Sequence, residues 1–167
     1  GAETFDDYLA RFNSKRRNQI KREVRAPEEQ GLEIVNLRGD ALEGREKLAF
    51  RLYLSTVEKF VWGRQYLNQE VFDLWVQRMR HALELMIARR RDTGEVVAGA
   101  VNFANGRRMY GRYWGCFEEI KHLHFNVCYY GGIQACIERG IDVFEPGAGG
   151  DHKLVRAFSP TIMYSAH

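Results

Sequence analysis

The stretch from Leu83 to Trp114 limits the fold more tightly than any other part of the chain. Leu83-Glu84-Leu85-Met86-Ile87-Ala88 reads as a strand, and Asp92-Thr93-Gly94-Glu95 follows it as a turn. Val96 to Phe103 is an apolar central strand, Asn105-Gly106 is a second turn, and Met109 to Trp114 is a third strand. Asn-Gly and Asp-x-Gly favour the left-handed backbone that tight antiparallel turns require. Parallel neighbours instead need a crossover of a dozen or more residues. Two hairpins in succession therefore exclude a purely parallel, doubly wound sheet.

The flanking segments have helical and strand periods of their own. The first 30 residues read as helix, with Phe5, Leu9, Phe12, Ile20 and Val24 as the apolar stripe. The stripe is interrupted at Arg16, where Ser14 is the expected cap of a fresh start, and Gln30-Gly31 is the expected stop. Leu32 to Leu37 alternates as a half-buried strand. A helix is expected from about Asp40 to Phe60, and a second after the N-cap Asn68, with Val71, Phe72, Trp75, Val76 and Met79 on its apolar face. Leu123 to Arg139 reads as a long helix closed by Gly140. Asp142-Val143-Phe144-Glu145 is a short strand, followed by a glycine-rich segment, Gly147 to Gly150, and by extended residues from Thr161 to Ser165. The order is helix, then β-α-α-β-β-β-α-β-loop-β.

Composition removes several alternatives. Hydrophobic residues make up 45% of the 167 and charged residues 28%, which suits one domain with one core. No run approaches the ~20 apolar residues that span a bilayer, and no secretory leader is visible. Cys116, Cys128 and Cys136 form no Cys-x-x-Cys pair and read as small buried hydrophobes in a reducing, cytoplasmic setting. Charge is uneven. Residues 11–25 carry seven cations against the single acid Glu23, on a chain whose net charge is +3. Lys15, Arg16, Arg17, Lys21 and Arg22 are thus candidate anion-binding residues, for a tRNA, the diphosphate of a cell-wall precursor or a lipid headgroup. A solvated charged face is the plainer alternative.

Several motifs carry a family resemblance. Ser14 to Glu23 resembles the S-K-x-R-x-x-I-R/K helix that opens the second GNAT-like half of Fem-type transferases, and Gly94 to Ala100 resembles their G-x-x-V-A-G strand. Tyr110-Gly111-Arg112-Tyr113-Trp114-Gly115-Cys116 and Glu145 to Arg156 are similar to signatures of the FemAB-like predicted N-acyltransferases, grouped with peptidoglycan biosynthesis or recognition. The resemblance implies an α/β (α+β) GNAT acyl-CoA N-acyltransferase-like fold, with a mixed, mostly antiparallel sheet flanked by helices. It implies a basic helix over 1–30 leading into a single GNAT-like domain over 31–167, and expects the chain to be a fragment of a longer two-lobed protein lacking its N-terminal lobe. The implied activity is transfer of an acyl or aminoacyl group to an amine of a small molecule or cell-wall precursor. The donor would be aminoacyl-tRNA or acyl-CoA, with no cofactor held by the chain. The family's F-K-x-G-F lysine falls on Val155 if Ala157-Phe158 ends that motif, with Lys153 and Arg156 beside it.

The residues themselves suggest where such chemistry would sit. Gly147, Gly149, Gly150 and Asp151 could cradle an anion on backbone N–H groups ahead of a short helix bearing Lys153 and Arg156, or could simply release the chain from a strand. His152, Lys153, Arg156 and Glu145 are the catalytic candidates, His152 being either a general base or a surface histidine. Arg112, Tyr113 and Trp114 could line an acceptor cleft by stacking, or fill the core. If alternation holds, Tyr110, Arg112 and Trp114 share one face. The Cys116–His122 loop has Glu118 and Glu119 where a CoA diphosphate would bind, which argues against that donor, although Lys121 and His122 leave room for it. His122-x-His124 is not a zinc spacing, so no metal is expected. The second functional reading is a non-catalytic lobe that recognises an anionic ligand.

Overall fold

The structure, a computed structural model, describes residues 4–59, 65–146 and 155–156. It is an α+β fold in which one mixed sheet lies between two helical layers. The strands run in chain order across the sheet: β1 (Leu32–Arg38), β2 (Leu83–Arg90), β3 (Val96–Asn105), β4 (Arg108–Cys116) and β5 (Val143–Glu145), with a two-residue edge β6 (Val155–Arg156). Every neighbouring pair is antiparallel except β4 and β5, which are parallel. The hairpin turns form where the sequence places them, with Gly94 and Gly106 at φ +76° and +59°.

One layer holds α3 (Glu46–Lys59) and α4 (Gln69–Arg78). Leu52, Tyr53, Phe72 and Val76 bury there against Leu83, Leu85, Ile87 and Val101 of the sheet. Asn68 caps α4 as expected, its Oδ1 accepting from Val71 N at 3.2 Å. α3 is shorter than its sequence suggests. Gly39–Leu42 forms a separate 3-10 turn, and Gly44 at φ +79° breaks the chain before Glu46.

The other layer holds α1 (Phe5–Leu9), α2 (Ser14–Glu29), α5 (Leu123–Phe125) and α6 (Gly131–Arg139). Asn13, not Ser14, caps α2: Asn13 Oδ1 accepts from Arg16 N at 2.8 Å, and Ser14 is the first helical residue. The break between α1 and α2 thus falls at residues 10–13 rather than at Arg16. Tyr8, Leu9 and Ile20 pack with Met109, Ile133 and Phe144, so α1 and α2 share a core with β4, β5 and α6. The expected single helix from Leu123 to Arg139 contains a π-helical segment, Asn126–Tyr130, between α5 and α6. The backbone stays right-handed helical through both junctions, and Gly140 at φ +68° ends the rod.

Close approach of elements is written into glycines. Gly99 and Gly115 are register partners on β3 and β4, and together they bare a patch of sheet beneath α3. A Cβ on Gly115 would come within 2.6 Å of Leu52 Cα, and one on Gly99 within 2.9 Å of Leu52 Cδ1.

Candidate functional site

β4 and β5 part early. They pair only through Arg108–Tyr110 and Val143–Glu145, and beyond Tyr110 the outer edge of β4 has no strand partner among the described residues. An irregularity begins at the same place. Val101 faces Tyr113 but Asn102 faces Gly111, so Arg112 is an extra residue in β4. Such a bulge reverses the alternation of side chains beyond it and often re-aims them at a site.

The bulge decides which residues meet. Before it, Tyr110 looks to the α3/α4 side, and after it Tyr113 does so again. Tyr110, Arg112, Tyr113 and Glu145 line one groove of about 790 Å³ with Trp75 and Phe103. Tyr113 stacks edge-on to Tyr53 at 4.9 Å, and Trp75 to Phe103 at 5.1 Å, so the groove floor is rigid aromatic surface. Arg112 is exposed and its guanidinium lies 5.7 Å from the Tyr113 ring centre. Glu145, last in β5, is directly opposite Tyr110. The groove thus offers one carboxylate, one guanidinium and several ring faces, a set suited to a polar molecule bearing an amine.

Trp114 is not part of it. It points to the opposite face and lines a smaller groove of about 450 Å³ with Cys116, Glu119, Lys121 and His124. The expectation that Tyr110, Arg112 and Trp114 share a face fails because the extra residue breaks the period of two. Further along, Cys116 N donates to Ser55 Oγ of α3 at 2.9 Å, which fastens the end of β4. Glu118, expected to repel phosphate, is instead held by Arg90, whose Nη2 lies 2.7 and 2.6 Å from its two carboxylate oxygens. That carboxylate raises the Arg90 guanidinium above its usual value, by the hydrogen bond first and then by charge. Sequence reading missed this pair because 28 residues separate its members.

The other candidates divide into three groups. Gly147, Gly149, Gly150, Asp151, His152 and Lys153 lie outside the described residues, as do Thr161 to Ser165. Arg156 is in β6, where its backbone pairs with Val143, so it belongs to a strand rather than to the expected short helix. On α2, Lys15, Arg16, Lys21 and Arg22 are exposed, whereas Arg17 is half-buried and donates to Phe12 O and Ser14 Oγ. Cys128 and Cys136 are buried as expected, and burial pushes the Cys136 thiol up to about 12 and raises Cys128 further.

No helix among the described residues is long and apolar enough to cross a membrane. A family model for FemAB-like proteins, described as peptidoglycan biosynthesis/recognition, matches residues 1–167. No curated protein matches the chain.

Proposed function

The chain belongs to the FemAB-like peptidoglycan biosynthesis/recognition family, and we propose that it is an N-acyltransferase or aminoacyltransferase lobe of GNAT type, acting on an amine of a cell-wall precursor. The strand order and the single parallel β4/β5 pair support the GNAT reading. The observation that carries the function is the parting of β4 from β5 at the bulge, which brings Glu145 to an aromatic groove beside a freed strand edge.

Acyl transfer needs an uncharged amine, a held carbonyl and a place for the developing oxyanion. Glu145 takes a proton from the acceptor's ammonium, and the freed nitrogen attacks the donor carbonyl carbon. A C–N bond forms as the C–O or C–S bond to the donor breaks, and the leaving oxygen or sulfur takes the electron pair and then a proton. Tyr110 and Tyr113 hold the acceptor by stacking, with Arg112 on any carboxylate or phosphate it carries. Gly147, Gly149, Gly150, Asp151, His152 and Lys153 follow Glu145 closely in sequence, which keeps them as candidates for the same site.

The test is mass spectrometry of a nucleotide-linked muropeptide with a free amine, incubated with the protein and either an aminoacyl-tRNA or an acyl-CoA. The acceptor should gain the donor's acyl mass. Glu145→Gln should lower kcat/KM by about 10²–10⁴-fold, the usual worth of a general base, and leave thermal unfolding unchanged. Precursor that binds but gains no mass from either donor would establish the alternative, a recognition lobe without turnover.

A further inference from the structure

α2 and α6 flank a groove of about 410 Å³ on the opposite side of the sheet from the aromatic groove. Val24, Pro27 and Glu28 of α2 form one wall, and Gln134, Ala135 and Glu138 of α6 form the other, each set at helical spacing. Leu32, Ile34 and Asn36 of β1 share a face by strand alternation and make the floor with Met86 of β2. That floor is apolar along most of its length and ends at one carboxamide. Asn126 and Tyr130, the two ends of the π-helical segment, also border the groove. Such segments are rare and cluster at functional sites.

The Asn36 carboxamide holds an acceptor with nothing to accept. Its Nδ2 donates to Glu84 Oε1 at 2.7 Å, while its Oδ1 is buried without a hydrogen-bond partner among the described residues. The amide cannot turn over to relieve this, because its oxygen would then face the Glu84 carboxylate. Glu84 is itself fixed by Arg139 Nη1 at 2.5 Å. A buried carbonyl oxygen left in this way has lost water without replacement, and an occupant that donates to it restores the loss.

The charges around the groove nearly balance. Glu28 pairs with Arg91 at 3.8 Å, Glu33 with Arg89 at 2.7 Å, and Glu84 with Arg139. Glu138 is the carboxylate left over. It is exposed on the α6 wall, and no hydrogen bond or ion pair engages it among the described residues. The remaining excess is one negative charge, which suits a single cation.

We infer that this groove binds an aliphatic primary amine, with its alkyl chain on Leu32, Ile34 and Met86 and its ammonium between Asn36 Oδ1 and the rim at Glu138. An ammonium carries three donors and one positive charge, which are what the orphaned oxygen and the unpaired carboxylate lack. A carboxylate or phosphate would meet both with like polarity. The site lies across the sheet from the aromatic groove and stands whether or not acyl transfer occurs there.

An NMR titration of the isotope-labelled protein with n-pentylamine at low ionic strength tests it, with n-pentanol and pentanoate as probes of matched length. The amine should shift the backbone amides of Leu32, Ile34, Gln134 and Ala135 saturably and bind about tenfold more tightly than the alcohol, and pentanoate should shift none of them. Asn36→Val should weaken the amine about tenfold, the loss expected for a hydrogen bond to a charged group. Glu138→Gln should weaken it about two- to fivefold, as for an exposed ion pair. Gln134→Trp fills the groove and should abolish binding. Glu70→Gln removes the same charge from α4 and should leave the affinity unchanged. Thermal unfolding reports whether Asn36→Val is folded, and the two α6 variants decide the matter if it is not. Equal affinities for amine and alcohol, amides that do not shift, or an affinity untouched by both α6 variants would overturn the site.

Discussion

Gly99 and Gly115 show how much a single missing side chain can position. Their bare backbones let Leu52 of α3 rest directly on the sheet, which brings Tyr53 down onto Tyr113 and sets the floor of the aromatic groove. Backbone cannot yield as a flexible side chain can. Gly115→Ala should therefore cost about 3 kcal/mol, the upper end for an overpacked core. Urea unfolding measures it, and a loss under 1 kcal/mol would mean that α3 moves away freely. Arg112 has the opposite role: one residue too many, it re-aims everything after it on β4.

At the scale of elements, polar ties across the layers do what apolar packing does not, which is to fix angle and register. Glu84 of β2 is 2% exposed, and its Oε1 accepts from Arg139 Nη1 at the end of α6 at 2.5 Å and from Asn36 Nδ2 of β1 at 2.7 Å. Three elements thus converge on one carboxylate. Arg139→Met leaves that charge buried without its cation and should cost about 3–5 kcal/mol. Adding Glu84→Gln removes the charge but keeps an acceptor for Asn36, and the pair together should recover more than half of the loss. A double-mutant cycle reads the coupling, and simple additivity would show that the contact contributes nothing. The same logic governs the π-helical segment, where Asn126 joins α2 to the loop at His122.

For the molecule as a whole, the two helical layers bury groups whose protonation then becomes a condition of folding. Cys128, Cys136 and Tyr130 all have raised values, burial being the largest cause for each, with the Glu23 hydrogen bond adding to Tyr130. Below pH 9 both folded and unfolded chains keep these protons, and the three groups add no pH dependence. Above it the unfolded chain releases them first, from ordinary values of 9.0 for the thiols and 10.0 for the phenol, while the folded chain retains them. Stability should thus fall as pH rises from 9, by about 1.4 kcal/mol per pH unit for each group engaged. Cys136→Ala should make that decline shallower between pH 9 and 11. Denaturant midpoints that are flat over this range would show that the thiols are not buried in solution.

What the sequence determined by itself was local. Gly94, Gly106 and Gly140 dictate left-handed backbone at their own positions, Asn68 bonds a backbone N–H three residues on, and the period of the apolar residues separates strands from helices. From these follow the hairpins, the element order and a sheet that cannot be wholly parallel, and the motifs point to the family. The tertiary structure decided which faces those residues occupy. A bulge depends on how two strands meet, so the separation of Trp114 from Tyr110 and Arg112 could not be read from alternation. The pairing of Arg90 with Glu118, and the tie between Glu23 and Asn126, join residues far apart in the chain. The basic helix was plain in the composition, but only its packing shows that Arg17 is half-buried and bonded to Phe12 O and Ser14 Oγ while Lys15, Arg16, Lys21 and Arg22 stay exposed. Charge is a property of residues; a site is a property of the surfaces that the fold brings face to face.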